Sequence, residues 1–142
     1  IEKALFLNTR RSKDKPLVTY LPPAPYETLT SWTAGADLGI IPYELTSLNH
    51  LYCTPNKLWE FPNAGVPILA SSLVEMKSMI DKYGTGYLMP SEFTPDDIID
   101  ALLAIDDDNL DLKRKNCKSF SLVENWGSYE PTLLSLYQAF CS

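Results

Sequence analysis

Histidine is almost absent from this sequence; His50 is the only one. That argues against chemistry needing several imidazoles. The three cysteines, Cys53, Cys117 and Cys141, are far apart and odd in number. With no C-x-x-C pair among them, neither a zinc knuckle nor a disulfide framework is expected, and no metal-ligating set is present. Such cysteine usage fits a reducing, cytoplasmic compartment. Basic charge is also scarce. Twelve Lys and Arg against eighteen Asp and Glu give a net charge of −6, and the basic residues concentrate only in "RRSKDK", Arg10–Lys15. A general nucleic-acid binder needs more. No apolar run approaches the ~20 residues of a membrane span, and no signal peptide is visible. Any membrane association is therefore expected to be peripheral. The chain opens at Ile1 rather than Met, so a processed chain or a fragment of a larger protein is expected.

What is present is enough for one domain. The 142 residues are 45% apolar, which supports a buried core. Short apolar runs alternate with helix signals. "ALFLN" (Ala4–Asn8) and "LVTYL" (Leu17–Leu21) read as strands. "YETLTSWTAGA" (Tyr26–Ala36) reads as a helix with Pro25 near its start. "DLGIIPY" (Asp37–Tyr43) is apolar almost throughout, as a strand buried on both faces would be. A loop over Glu44–Cys53 follows, then a short helix to about Asn63 and a strand at Val66–Ser71.

Ser72 and Glu75 have capping-box spacing for a helix running to about Tyr83. Gly84–Pro90 gives a turn and a short strand. Thr94–Ile105 carries a cap, a proline at the first position and acidic residues in the first turn. Asp106–Asp108 reads as a solvated turn. Trp59 and Trp126 read as packing residues and His50 as a surface residue. The tail from Leu112 to Phe140 predicts one or two helices broken near Gly127 and Pro131. Strand–helix alternation of this kind predicts an α/β fold: a doubly wound, Rossmann-like parallel sheet in three layers.

In such sheets ligands bind outside the carboxyl ends of the strands. Three helix starts lie near such ends, and each offers free amides and a positive partial charge. The richest is "TPNKLWE" (Thr54–Glu60). Thr54 is a good cap, Pro55 is preorganised for the first turn, and Lys57 adds a full charge, so a phosphate suits this head. Asn56 and Glu60 are four apart and share a face. A carboxylate one turn below a phosphate can accept from a ribose diol. Lys57 and Glu60 also read simply as a solvated surface pair. Leu58 and Phe61 should face the sheet, and Pro62 should bend the helix or end it early. Gly84 and Gly86 make no dinucleotide fingerprint, and a turn accounts for them.

The segments "VTYLPPAPYETLTSWTAGADLGIIPY", "TPNKLWEFPNAGVPILAS", "EMKSMIDKYGTGYLMP" and "NWGSYEPTLLSLYQAF" together resemble the C-terminal half of a GT-B glycosyltransferase, close to family 4. The Pro55–Pro67 block is the most specific part. The resemblance implies a nucleotide-sugar donor, bound as substrate with no cofactor and no metal. The diphosphate and ribose would lie on Thr54, Asn56, Lys57 and Glu60, with Pro42, Tyr43 and Glu44 as the donor-side loop. Glu60 matches the second glutamate of the family's Glu-x7-Glu motif, and Tyr52 stands where the first would be. The family's Lys-Gly loop is not found before Leu17. The acceptor-binding N-terminal domain, with the groups facing the reacting carbon, is not in this sequence. Residues 1–142 would then be a single donor-binding domain from a two-domain protein, inactive alone, and no catalytic residue is assigned. A sugar-nucleotide 2-epimerase-like domain and a non-catalytic α/β interaction module are the alternatives.

Overall fold

The structure is a computed structural model that describes residues 21–141. The strand expected at Ala4–Asn8, and all but the last residue of the one at Leu17–Leu21, lie outside that range. The described chain runs α1 (Tyr26–Thr33), β1 (Gly39–Ile41), α2 (Leu48–Tyr52), α3 (Lys57–Asn63), β2 (Ile68–Ser71), α4 (Val74–Tyr83), β3 (Gly86–Met89), α5 (Pro95–Leu103), α6 (Asp107–Val123) and α7 (Trp126–Cys141). The three strands form one parallel sheet in the order β1-β2-β3. The fold is thus mixed α/β with a parallel sheet, as the alternation predicts.

β2 is the apolar centre. Ile68 and Ala70 pack with Ile41, Leu58, Leu73, Met76 and Ile80 in one buried cluster. Leu69 and Ser71 have the opposite parity and are also fully buried, so both faces of β2 are covered. The same is not true of β1. Ile40 is 40% exposed while its neighbours Gly39 and Ile41 are buried, so the expectation of a strand buried on both faces fails there. Tyr87 of β3 lies under the Lys113 ammonium of α6, 5.6 Å from the ring centroid. Its hydroxyl is buried without a hydrogen-bond partner among the described residues. Burial, and secondarily Asp106, raise its pKa above the usual phenol value.

Two glycines are dictated by neighbours. A Cβ on Gly86 would sit 2.2 Å from the Ile68 carbonyl oxygen, so β3 can pair at this register only without a side chain there. Gly86 is therefore a strand residue and not part of a turn. A Cβ on Gly39 would lie 2.6 Å from the Phe61 ring, which seats α3 on β1.

Several helix ends differ from expectation for identifiable reasons. α4 opens after Leu73 with no side-chain cap, because the Ser72 amide bonds the Met89 carbonyl and Ser72 belongs to the sheet edge. Asp106 caps α6 through the Asn109 amide at 2.7 Å, so Asp106–Asp108 start a helix. The tail breaks at Glu124–Asn125. Asn125 accepts from the Ser128 amide at 3.1 Å, and Gly127 and Pro131 lie inside α7. Trp126, expected to be packed, is 66% exposed. α5 starts as read, capped by Thr94 with Pro95 in the first position; Asp97 also completes a reciprocal capping box, and the helix ends at Leu103 rather than Ile105. The Thr94 hydroxyl, then the Thr94 amide, hold the Asp97 carboxyl below its usual range.

Candidate functional site

Chain segments leave the carboxyl ends of the strands at Pro42, Ser72 and Pro90, and those after β1 and β3 border a crevice there. The first of them is held tightly. Buried Ser71 donates to the Tyr43 carbonyl at 2.7 Å and approaches that of Ile41 at 3.3 Å, tying the segment after β1 to the end of β2. The expected loop over Glu44–Cys53 contains α2, capped by Ser47 accepting from the His50 amide at 3.2 Å. His50 is not a free surface residue. Its Nδ1 lies 2.9 Å from the Glu44 carbonyl oxygen and 2.7 Å from Thr46 Oγ1, and its ring leans on Tyr43. A carbonyl only accepts, so a hydrogen bond to Glu44 is one that Nδ1–H donates.

Glu44 and Thr46 border two adjoining hollows. One, of about 490 Å³, extends to Ser91–Thr94. The other, of about 360 Å³, is walled by Pro42, Tyr43 and His50. Pro42 and Glu44 are exposed and Tyr43 is half-buried. Of the residues singled out in the sequence, these three are brought together here.

The α3 head lies apart from those hollows. α3 begins at Lys57, with Asn56 already in right-handed helical conformation. The Leu58 amide bonds the Pro55 carbonyl, and those of Trp59 and Glu60 bond that of Asn56, each at 2.9 Å. Thr54 is exposed and makes no cap bond, which corrects its assignment as cap. The amides of Asn56 and Lys57 have no acceptor among the described residues. Lys57 Nζ lies 3.6 Å from Glu60 Oε2, with both side chains open to solvent. Leu58 and Phe61 face inward as expected.

Pro62 is buried, and the helix ends one residue later. The Gly65 and Val66 amides bond the Pro62 and Phe61 carbonyls at 2.9 Å, and Gly65 has φ +79°. That is a Schellman stop, so the proline accompanies an ordinary helix end.

Glu60 faces a separate groove between α1 and α3, about 400 Å³ in volume, which also takes in Tyr26, Glu27, Thr30 and Trp59. The structure therefore separates the predicted residues: Glu60 lines the α1–α3 groove, Pro42, Tyr43 and Glu44 meet at the sheet edge, and Thr54, Asn56 and Lys57 line none of these hollows.

Two residues escaped the sequence reading. Ser71 sits inside an apolar run and nothing in the pattern distinguishes it. Glu124 ends α6 and collects the hydroxyls of Tyr83 and Tyr129, with Lys82 Nζ at 4.0 Å. The Tyr129 and Tyr83 hydroxyls hold its carboxyl below the usual range. Its partners are remote in sequence or on another helix, so no local signal exists. No helix among the described residues is long and apolar enough to cross a membrane. Compared with known proteins, the chain matches no family model and no curated protein.

Proposed function

We propose that this chain is the donor-binding half of a sugar-nucleotide-dependent glycosyltransferase of the GT-B type, which moves a hexosyl group to an alcohol acceptor held by a separate N-terminal domain. The described three strands would be part of a larger doubly wound, Rossmann-like sheet. The observation that carries this reading is the pairing of Lys57 with Glu60 beside the α1–α3 groove. A nucleoside in the groove sets its ribose diol against the Glu60 carboxylate. Its diphosphate then reaches Lys57 and the free amides of Asn56 and Lys57, and the sugar points towards Pro42, Tyr43 and Glu44.

As the glycosidic bond breaks, negative charge grows on the departing diphosphate. Lys57 and the oriented amides stabilise that charge directly, so the reaction calls for no resident cofactor or metal. The groups facing the reacting carbon belong to the other domain. The protein would act in the cytoplasm, peripheral to a membrane, in polysaccharide assembly.

Calorimetric titration of the full-length protein with nucleoside diphosphates tests the reading. Glu60→Ala should weaken binding by ~1–3 kcal/mol, the scale of a hydrogen bond to a charged group. Circular dichroism should be unchanged, because Glu60 is exposed. Equal affinity in the variant would remove the ribose role. Sugar transfer by the 142-residue chain alone would overturn the two-domain mechanism.

A further inference from the structure

The groove that Glu60 lines contains a second carboxylate, that of Glu27. Glu27 stands in the first turn of α1, where the Thr28 amide bonds the Pro25 carbonyl at 3.0 Å. It lines the same hollow of about 400 Å³ as Glu60. Glu60 is paired with Lys57, whereas Glu27 has neither an ion pair nor a hydrogen bond through its side chain among the described residues. Thr30 lies three residues on, on the same side of the helix, and its hydroxyl is also without a partner there. Tyr26 is 87% exposed beside Glu27, and Trp59 forms part of the facing wall.

Aromatic faces stack on any base and do not discriminate. Carboxylates do, because an ionised carboxylate only accepts. Guanine presents N1–H and the N2 amino group side by side, which match the two oxygens of one carboxylate. Its O6 lies next in line and takes a hydroxyl proton. Uracil presents one N–H flanked by two carbonyl oxygens. Adenine and cytosine each set a single amino group beside a ring acceptor. Against any of these three, one Glu27 oxygen would oppose an acceptor lone pair and remain unpaired.

We propose that Glu27, with Thr30 beside it, selects guanine, so that the donor is a guanosine-diphosphate sugar. This rests on the nucleoside-diphosphate reading above. The α1–α3 groove then divides its labour: Tyr26 and Trp59 hold the base plane, Glu27 reads the base edge, and Glu60 takes the ribose.

The test is calorimetric titration of the full-length protein with GDP, UDP, ADP and CDP, repeated for Glu27→Gln and Glu60→Ala. GDP should bind at least about tenfold tighter than the others, the scale of one bidentate base contact. Glu27→Gln replaces one acceptor with a donor. It should weaken GDP by about tenfold and leave UDP undiminished, while Glu60→Ala weakens all four alike. If UDP binds as well as GDP and still depends on Glu60, guanine selection is wrong and the nucleotide site stands. If GDP is preferred but Glu27→Gln keeps the preference, Glu27 is not the reader. If no diphosphate binds, both readings fall.

Discussion

Replacing Gly86 with alanine introduces one methyl group where the sheet has no room. The new Cβ would meet the Ile68 carbonyl oxygen at 2.2 Å and its carbonyl carbon at 2.9 Å. Carbon–oxygen approaches in sheets settle near 3.3–3.6 Å, so the overlap is roughly 1 Å. Neither strand can retreat freely. Ile68 is fully buried, and its amide already bonds the Thr85 carbonyl at 3.1 Å. Overpacking of this kind costs ~1–3 kcal/mol. Shifting β3 also weakens at least one ladder bond, worth ~1 kcal/mol. The sum of ~2–4 kcal/mol is a large part of the ~5–15 kcal/mol that holds an ordinary domain together. Urea unfolding followed by circular dichroism should therefore show the midpoint lowered by roughly 1–2 M at unchanged slope. Gly35→Ala is the control. Its Cβ would meet only the Trp32 carbonyl at 3.4 Å, an ordinary contact, and its stability should stay within ~0.5 kcal/mol of the parent. A Gly86→Ala protein as stable as the parent would refute the claim that this position admits no side chain.

Tyr87→Phe should stabilise the fold by up to ~1 kcal/mol, because it deletes a buried hydroxyl that has no partner among the described residues; a lower thermal midpoint would show that the hydroxyl is in fact satisfied. Burial pushes the Cys117 thiol up to about 11, so at pH 8 iodoacetamide should label half-buried Cys53 and spare Cys117 until urea unfolds the chain, as peptide mass mapping would reveal. Thr94→Ala should cost ~1 kcal/mol by removing the α5 cap. Because the folded Asp97 carboxyl titrates below its unfolded value, its contribution is complete above the unfolded pKa near 4 and disappears as pH falls through the lower, folded value. In Thr94→Ala the Asp97 carboxyl should titrate closer to its ordinary value, read by carbon-detected NMR.

How far the sequence reveals this molecule depends on whether the deciding contacts are local. The start of α5 was legible, since Thr94 and Pro95 mark it locally, while its end at Leu103 falls short of the expected Ile105. β2 was legible because an apolar run between a glycine stop and a helix has little else to be. Ser72 misled because a strand two elements away claims its amide through Met89. The role of Glu124 was invisible because it gathers tyrosines from α4 and α7. Asn125 was a readable cap, obscured by the stronger breaker signals of Gly127 and Pro131. For the site, residue types and helix faces could be read, but not which hollow each would border. The spacing of Lys57 and Glu60 foretold their adjacency. Only the packing of α1 against α3 separates Glu60 from Glu44.

The Ser71 hydroxyl has a consequence for how the sheet-edge hollows would receive a ligand. One buried proton joins the end of the central strand to the segment carrying Tyr43 and Glu44, and the imidazole of His50 fastens the next turn of that segment to Glu44 and Thr46. A ligand settling there meets backbone that is already ordered. The conformational entropy lost on association, ~0.5–1.5 kcal/mol for each side chain immobilised at an interface, is then confined to a few exposed groups such as the Glu44 carboxylate. Affinity at this edge becomes a property of the central strand as much as of the residues that touch the ligand. A Ser71→Ala protein would keep every one of those side chains and hold them less firmly.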